Sequence, residues 1–242
     1  MDLSVVIPAR NEAPNVAPLV AEIRHALDGL VSYEIVYIDD GSTDRTAAEA
    51  RQLAAEFPGL RLIRHQASCG QSMAILTGVK AARADWIATL DADGQNDPAD
   101  IPRLWEIARA APASLSLMVA GQRRKRRDTW SKRWASRAAN AIRRRLLGDG
   151  TPDTGCGLKL FRRDLFLEMP RFDHMHRFLP ALTLRLGGKV VSVPVNHRPR
   201  ERGQSNYGVF DRLWVGIADL LGVMWLMRRA KTPIVIEEPP SA

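Results

Sequence analysis

Cysteine is scarce in this sequence, and so is any sign of export. The 242 residues contain two cysteines, Cys69 and Cys156, which lie far apart in the chain. The N-terminal stretch MDLSVVIPARNE has an acid at position 2 and is interrupted by Pro8 and Arg10, which is not the pattern of a secretory signal peptide. These features argue against a disulfide-bonded secreted protein. We expect a reducing, cytoplasmic setting with both thiols free.

Long apolar runs are also lacking. The run LWVGIADLLGVMWLM covers 15 positions, 213–227, and is interrupted by Asp219. A helix of this length rises about 22 Å, whereas the hydrocarbon core of a bilayer is about 30 Å thick, so it cannot cross a membrane alone. Three cations follow it: Arg228, Arg229 and Lys231. We predict an amphipathic helix over 209–231 that lies in a membrane interface; the alternative is a core or oligomer-interface helix.

Positive charge is concentrated in one segment. The formal net charge of the chain is +8. Residues 122–145 contain eleven Lys or Arg and one Asp, a charge of +10, so the remaining residues sum to −2. Such a concentration predicts an anionic partner, and nucleic acid, phospholipid headgroups and phosphorylated substrates all meet that description.

The tryptophans in this basic segment narrow the choice of partner. Trp130 and Trp134 share one helical face with three apolar residues: Ala138, Ala141 and Ile142. Residues 129–147 are therefore predicted to form an amphipathic helix with a cationic remainder, which is typical of membrane interfaces. Single-stranded nucleic acid can stack on tryptophans, but residues on an apolar face pack more simply against protein or lipid. We expect an anionic membrane surface as the partner and no nucleic acid.

Short apolar runs alternate with helix-period segments in the first half of the chain. Five runs are predicted as strands: 3–8, 33–39, 60–63, 86–90 and 115–120. Pro14 fits the start of the first helix, and Ser42 and Thr43 are predicted to cap the second. This pattern, with 45% hydrophobic residues, predicts an α/β domain in which helices flank a mostly parallel sheet.

Acidic residues follow three of these predicted strands. They are Glu12, Asp39, Asp40, Asp91 and Asp93. Ligands of open α/β sheets bind at the carboxyl ends of the strands, so we expect these side chains at one rim of the sheet. Carboxylates crowded in this way need a cation or a set of sugar hydroxyls to be stable.

Asp91 and Asp93 have the spacing of a metal site. In an extended segment, residues i and i+2 project to the same side, so both carboxylates can face one point. Oxygen ligands suit a hard divalent cation, Mg²⁺ or Mn²⁺, that also binds substrate phosphates, and Gln95 offers a further carbonyl. The alternative is a solvated acidic loop that caps the helix beginning near Pro98.

Four segments occur in an order and spacing that closely resembles the family 2 glycosyltransferases. They are VVIPARNEAPNV, YEIVYIDDGSTDRTA, GQSMAILTGVKAARADWIATLDADGQNDP and DTGCGLKLFRRD. The chain looks most like the polyprenyl- or dolichol-phosphate sugar transferases of that family, which implies the GT-A fold, a UDP- or GDP-sugar donor and a polyprenyl phosphate acceptor. We accordingly predict a catalytic domain at 1–208, with a nucleotide-sugar half at 1–120 and an acceptor half at 121–208. The interfacial helix follows at 209–231, and a flexible tail at 232–242.

The resemblance implies a donor site residue by residue. Five positions would line the nucleotide pocket: Pro8, Ala9, Arg10, Glu12 and Asp39. Asp91 and Asp93 match the D-x-D motif of the family, whose acids bind the nucleotide-sugar and its metal, and Gln95 matches a metal-side glutamine. For Glu12 and Asp40, a cap at a helix terminus is the alternative.

Arginines are implied on both sides of the reaction. The segment NHRPRERGQSNYG, 196–208, resembles a loop that closes over the donor, with Arg200 and Ser205 as the expected contacts. Arg123 and Arg137 match arginines that hold the acceptor phosphate, for which the guanidinium fork is well shaped.

Asp153 matches an aspartate near the reaction centre of the polyprenyl-phosphate enzymes. It is implied to orient the acceptor or to act as base, although a phosphate monoester is already largely anionic at neutral pH, so a structural role stays open. Lys159 is either a phosphate contact or a strand-edge residue. Residues 143–145 are expected to be surface charge for anionic lipids, and Cys156 a small core residue.

Residues and resemblance together predict an inverting glycosyltransferase with Mg²⁺ or Mn²⁺ as cofactor. The lipid phosphate would attack the anomeric carbon in a single in-line displacement, while the metal stabilises the departing nucleoside diphosphate. We expect the enzyme to be peripheral, on the cytoplasmic face of the membrane. Two alternatives are a family 2 transferase with a soluble or polysaccharide acceptor and a non-catalytic protein that binds anions or membranes. A homo-oligomer is also left open.

Overall fold

The structure is a computed structural model that describes residues 1–112, 115–123, 143, 145–199 and 211–231, with the backbone alone at 211–214. Seven strands form one sheet within these ranges. They are β1 (Leu3–Ala9), β2 (Tyr33–Asp39), β3 (Leu60–Arg64), β4 (Trp86–Thr89), β5 (Leu117–Arg123), β6 (Lys159–Arg162) and β7 (Lys189–Val195). The five predicted strands correspond to β1 to β5, and β5 extends beyond its prediction to Arg123.

The sheet is mostly parallel, as predicted. Its strand order is β3-β2-β1-β4-β6-β5-β7. The pairs β1/β2, β1/β4, β2/β3 and β5/β7 are parallel, whereas β6 is antiparallel to β4 and β5. Because β6 is reversed, its first residue, Lys159, lies at the rim where β4 and β5 end, opposite Thr89 and Ala120.

Helices cover both faces of the sheet. Those in the described part of the chain are α1 (Ala13–Leu27), α2 (Thr46–Glu56), α3 (Gln71–Ala81), α4 (Ile101–Arg109), α5 (Arg163–Leu167), α6 (Leu179–Arg185) and α7 (Asp211–Arg228). Short 3₁₀ turns at Pro98–Asp100 and Met175–Arg177 precede α4 and α6. Pro14 lies in the first turn of α1, as predicted.

The alternation of side chains along β1 divides the core into two layers. Val5 and Ile7 pack with residues of α1 and α4, whereas Val6 packs with α3, α5 and α6 on the opposite face. Successive strand residues point to opposite faces, so a strand buried on both faces reads as a continuous apolar run. The site is therefore confined to the ends of the strands.

The predicted cap of α2 was wrong. Arg45 is the residue before the helix, and Asp44 accepts a hydrogen bond from the Thr46 N–H at 2.9 Å. Ser42 instead accepts from the Asn11 N–H at 2.9 Å, which ties the turn after β2 to the turn after β1. Hydroxyls that resembled a cap thus hold two rim loops together.

A helix, α7, is present where the C-terminal amphipathic helix was predicted. Val223 is buried against the core on one face. Ile217, Leu221 and Trp225 recur every four residues on another face, and Leu221 and Trp225 are 59% and 60% exposed. None of the helices in the described part of the chain combines the length and apolar character that a membrane span requires. The location of α7 in a membrane interface stays a prediction.

Candidate active site

The ends of β1 and β2 bring the predicted nucleotide-site residues to one rim. Ala9 lies opposite Asp39, and the Asp40 N–H donates to the Ala9 carbonyl at 2.8 Å. Asp39 is fully buried. One of its oxygens accepts from the Ser42 N–H at 3.0 Å and the other from Arg64 Nε at 2.9 Å. These contacts fix its carboxylate at the end of a buried strand.

The other predicted residues of the nucleotide pocket lie close along the chain. Pro8 borders the cavity described below, and Arg10 is exposed in the turn after β1. Glu12 immediately precedes α1, but its side chain makes no capping bond to that helix. It accepts instead from Asn15 Nδ2 at 2.6 Å. The capping alternative for Glu12 is thus not what the structure shows.

Asp40 anchors the segment that leads into α3. Its carboxylate accepts from the N–H groups of Cys69 and Gly70 at 2.8 and 3.0 Å and from the Ser68 hydroxyl at 2.8 Å. His65 Nδ1 lies 2.7 Å from the same carboxylate. Burial opposes its ionisation, but these hydrogen bonds hold the pKa of Asp40 below its usual value. Asp40 therefore acts near a helix terminus, as its alternative proposed.

The same contacts bear on a second grouping of metal-ligating atoms. Ligand atoms of Asp40, His65 and Cys69 lie within 4.8 Å of one another. His65 Nε2, however, is 2.9 Å from the Thr77 hydroxyl, and Asp40 already accepts several hydrogen bonds. A metal would have to displace these bonds, so the cluster fits a loop anchor better than a metal site.

Asp91 lies just beyond β4 at the rim. Its Oδ1 accepts from Gln71 Nε2 at 2.8 Å, and its N–H donates to Asn96 Oδ1 at 3.2 Å. A Cβ atom at Gly157 would overlap the Asp91 carboxylate. A side chain at position 157 would therefore displace this carboxylate, whose position is held by the Gln71 amide.

Asp91, Asp93 and Gln95 form a donor set that fits a divalent cation. Burial and then the charge of Asp93 raise the pKa of Asp91 to about 6. A divalent cation would relieve this repulsion. Gln95 Nε2 donates to the Arg198 carbonyl at 3.4 Å, which leaves Oε1 as the acceptor of that amide. Two carboxylates and an amide oxygen are ligands of the kind that Mg²⁺ and Mn²⁺ prefer.

Arg123 and Asp153 form a partly buried ion pair. Nε and Nη2 of Arg123 donate to the two carboxylate oxygens of Asp153 at 2.6 and 2.7 Å. Each side chain is 13% exposed. Burial opposes the charge of Arg123, but the hydrogen bonds to Asp153 raise its pKa. The structure thus joins two residues that the sequence assigned to separate roles.

Arg143 was wrongly expected to be surface charge. It is 8% exposed, and its guanidinium donates to the Thr154 hydroxyl and, at 2.6 Å, to the Thr151 carbonyl. Its Nε also lies 3.4 Å from Asp149. A buried guanidinium needs such acceptors, and here they hold the loop that carries Asp153.

A cavity of about 450 Å³ lies between these groups. Asp91 borders it, as do the Arg123–Asp153 pair and Lys159. Lys159 is 4% exposed, and its Nζ donates to the Cys156 carbonyl. Burial lowers the pKa of Lys159. Lys159 therefore belongs to the cavity wall in the middle of the sheet, not to a strand edge, and Cys156 is a core residue, as predicted.

Two residues that border this cavity, His176 and Arg177, were not predicted from the sequence. The Ser72 hydroxyl oxygen lies 2.8 Å from His176 Nδ1, and it accepts a hydrogen bond from the backbone N–H of His176 at 3.2 Å. The pKa of His176 is lowered to about 3. Burial is the main cause, and the charge of Lys159 is the next. The sequence did contain a signal for them, because this polar pair interrupts the otherwise apolar stretch 175–182.

Three predicted site residues lie outside the residues that the structure describes: Arg137, Arg200 and Ser205. Residues 124–142 and 144, which include most of the basic segment, lie outside as well. At the start of the predicted donor loop, Arg198 pairs with Glu22 and with Asp97, each at 2.7 Å. These ion pairs attach the start of that loop to α1 and to the segment after the D-x-D motif.

Comparison with known proteins identifies the family. The sequence model described as Glycosyl transferase family 2 matches residues 4–169. The chain belongs to glycosyl transferase family 2. This glycosyltransferase is 35% identical over 240 residues to the dodecaprenyl-phosphate galacturonate synthase of Rhizobium johnstonii, a match that covers 96% of this chain and 69% of that protein. It is 37% identical over 210 residues to the undecaprenyl-phosphate 4-deoxy-4-formamido-L-arabinose transferase of Edwardsiella ictaluri, with 86% and 63% covered.

The chain of this glycosyltransferase thus spans about two thirds of the length of these relatives. Its fold is similar to that of the glucosyl-3-phosphoglycerate synthase from Mycobacterium tuberculosis, solved with Mn²⁺, UDP-glucose and phosphoglyceric acid. The TM-score is 0.70 at 20% identity, with 93% of this chain and 79% of that chain covered. The predicted GT-A fold and glycosyltransferase class are confirmed.

Proposed function

We propose that this glycosyltransferase moves a sugar from a UDP- or GDP-sugar to a polyprenyl phosphate. The similarity to two polyprenyl-phosphate sugar transferases supports this acceptor class. The cavity carries the proposal because its lining contains charges of both signs: Asp91 is acidic, whereas Arg123 and Lys159 are basic. Such a cavity suits a metal-bound diphosphate next to a second phosphate.

The metal site of this proposal consists of Asp91, Asp93 and Gln95. Mg²⁺ or Mn²⁺, when bound, neutralises the charge that develops on the departing nucleoside diphosphate. Asp91 is held for this purpose by Gln71 and by the lack of a side chain at Gly157. The nucleotide itself is assigned to the rim formed by the five predicted residues: Pro8, Ala9, Arg10, Glu12 and Asp39.

The reaction that fits this arrangement is a single displacement with inversion. The acceptor phosphate oxygen attacks the anomeric carbon as the diphosphate leaves from the opposite side. A phosphate monoester is largely ionised at neutral pH, so the reaction needs no strong base. We therefore assign Asp153 to positioning Arg123, to which it is bonded through two oxygens, and assign Arg123 and Arg137 to the acceptor side.

The membrane part of the proposal concerns α7. Its exposed residues Ile217, Leu221 and Trp225 would enter the interface of the cytoplasmic leaflet, and Arg228 and the cations after it would meet anionic headgroups. Replacing Leu221 and Trp225 by Ser should weaken binding to vesicles that contain phosphatidylglycerol. Leu30→Ser, which changes a 68% exposed leucine away from this face, is the matched control. Equal vesicle binding by all three proteins would contradict the assignment.

Sugar transfer is tested directly. Radiolabelled UDP- and GDP-sugars are incubated with undecaprenyl phosphate and Mg²⁺ or Mn²⁺, and label is counted after extraction into organic solvent. We expect metal-dependent label in the organic phase, which EDTA abolishes. Transfer to a water-soluble or polysaccharide acceptor alone would replace the lipid acceptor. Failure to bind any nucleoside diphosphate with metal would indicate a non-catalytic protein.

A further inference from the structure

The acceptor wall of the cavity contains cations whose charges are not cancelled. Arg123 is matched by Asp153, which accepts two of its hydrogen bonds. Lys159 and Arg177 also border the cavity, and no carboxylate among the described residues pairs with either within 4.0 Å. A buried ammonium such as Lys159 is costly unless an anion is close to it. Lys159 and Arg177 are therefore cavity residues with which the anionic group of a ligand can pair.

His176 adds a hydrogen-bond donor beside these two cations. The backbone N–H of His176 donates to the Ser72 hydroxyl oxygen at 3.2 Å, and the same oxygen lies 2.8 Å from Nδ1. We assign the hydroxyl hydrogen to this second contact, which makes Nδ1 the acceptor. With Nδ1 accepting, the ring proton of a neutral imidazole lies on Nε2. The low pKa of His176 agrees with a neutral ring. In this assigned tautomer, Nε2–H is the ring group left for a ligand.

Strand order places this cluster next to the D-x-D residues and away from the nucleotide. Along the rim, β2 and β1 carry the nucleotide-site residues, β4 leads to Asp91, and β6 begins with Lys159. Lys159 is in register with Thr89 of β4, two residues before Asp91. A group bound at Lys159 would therefore lie across the metal site from the nucleotide, on the side from which an acceptor must approach.

We propose that Lys159, His176 and Arg177 form the subsite that binds the phosphate monoester of the acceptor. This inference rests on the proposed function and identifies residues for its acceptor side. A phosphate monoester carries about −1.5 to −2 charges at neutral pH, which the two cations balance. The guanidinium of Arg177 can donate two hydrogen bonds, and the His176 Nε2–H donates a third.

Binding of farnesyl phosphate, a soluble prenyl phosphate, tests the subsite without any sugar transfer. Calorimetric titrations compare farnesyl phosphate, farnesol, glycerol phosphate and inorganic phosphate on the wild-type chain with Mg²⁺ and UDP or GDP. We expect farnesyl phosphate to bind at least 10-fold more tightly than farnesol. Arg177→Gln should weaken farnesyl phosphate about 10- to 100-fold, the range for a lost charge-assisted hydrogen bond. Nucleoside diphosphate affinity should stay unchanged.

Arg171→Gln is the matched control, because Arg171 is an exposed arginine of the same connecting segment. It should bind farnesyl phosphate like the wild type. His176→Gln, which keeps a neutral donor, should weaken binding less than Arg177→Gln does. If glycerol phosphate binds as tightly as farnesyl phosphate, the subsite is supported, but its ligand is a water-soluble phosphate ester and not a lipid phosphate.

Three outcomes would overturn the subsite. These are unchanged farnesyl phosphate affinity in a folded Arg177→Gln chain, an equal loss of nucleoside diphosphate affinity, and equal wild-type affinity for farnesol and farnesyl phosphate. The last comparison needs no variant, so it decides even if Arg177→Gln does not fold. Absence of sugar transfer to undecaprenyl phosphate, together with phosphate binding that depends on Arg177, would instead contradict the proposed function and leave the subsite in place.

Discussion

The two walls of the cavity hold their charges in different ways. On the wall formed after β4, Asp91 is held by a neutral donor, the Gln71 amide, so its negative charge stays available. On the wall formed at the rim ends of β5 and β6, Arg123 is held by the carboxylate of Asp153, whereas Lys159 is held by a neutral carbonyl oxygen. A metal therefore belongs on the first wall, whereas on the second wall Lys159 is a cation without a carboxylate partner among the described residues.

The largest effect is expected from removing a charge on the acidic wall, which is the wall after β4 that carries Asp91 and Asp93. Asp93→Asn keeps the size of the side chain and the oxygen that accepts the Gln95 N–H, but it removes a negative charge from the metal ligands. We expect initial rates of sugar transfer at saturating Mg²⁺ to fall about 100- to 1000-fold, because metal stabilisation of the transition state is worth several kcal/mol. Thermal unfolding should not change.

Asp85→Asn is the matched control for this variant. Asp85 is an exposed carboxylate at the opposite end of β4, far from the rim. It should transfer sugar at the wild-type rate. Normal turnover by Asp93→Asn would sink the assignment of the metal to this wall.

The next effect concerns the free energy of unfolding, and it arises on the basic wall, which carries Arg123, Lys159 and Arg177. Arg123→Met leaves Asp153 partly buried without its guanidinium; breaking one side of a fully buried pair costs about 3 kcal/mol or more, so we expect about 2 to 3 kcal/mol for this partly buried pair. We expect urea unfolding to show this loss for Arg123→Met and a smaller loss for the double variant Arg123→Met, Asp153→Leu. Arg45→Met, which breaks the exposed pair with Glu49, should cost below about 1 kcal/mol. A loss for Arg123→Met as small as that control would mean that the pair is solvated.

The acidic wall could be predicted from the sequence for a physical reason. Its residues follow parallel strands directly, so the rule for strand ends and the i, i+2 spacing place Asp39, Asp91 and Asp93 at the rim. Gln71 was not foreseen, because a polar residue at a helix start has several common uses. The contact with Asp91 is a tertiary one, which local spacing does not reveal.

The basic wall could not be predicted in this way. Lys159 reaches the rim because β6 runs antiparallel, and the direction of a four-residue strand is not visible in its sequence. Arg143 looked like one cation among many, and its burial depends on acceptors in a loop further along the chain. His176 and Arg177 come from a 3₁₀ turn, where no periodicity indicates which side chains face a cavity.

A smaller effect should follow from a change in shape on the acidic wall without any change in charge. The added methyl group of Gly157→Ala would overlap the Asp91 carboxylate and displace it from the metal ligands. We expect Mg²⁺ affinity, measured by calorimetry with UDP or GDP, to fall about 10-fold, the range for disturbed support of a metal ligand. Gly216→Ala, where the added methyl group meets open space on α7, is the control and should bind like the wild type. Unchanged Mg²⁺ affinity in Gly157→Ala would argue against Asp91 as a ligand.

The smallest effect concerns the neutral member of the basic wall. The pKa of His176 is lowered to about 3 by burial and then by Lys159, Arg177 and His174, whereas a histidine in an unfolded chain has a pKa of about 6.5. Between these values the unfolded chain binds a proton that the folded chain does not. The stabilising contribution of the neutral ring is therefore complete above pH 6.5 and is lost as the pH falls toward 3.

The pH dependence of the free energy of unfolding should therefore differ between the wild type and His176→Gln. From pH 6 to pH 5, the free energy of unfolding of the wild type should fall by about 1 kcal/mol more than that of His176→Gln, which has no proton to gain at this position. Urea unfolding at each pH measures the difference, and His25→Gln, at an exposed position of α1, controls for the loss of a histidine. A difference that stays constant with pH would mean that the folded chain protonates His176 as readily as the unfolded chain does. The ring would then be a third cation of the basic wall, and its neutral-donor role would be wrong.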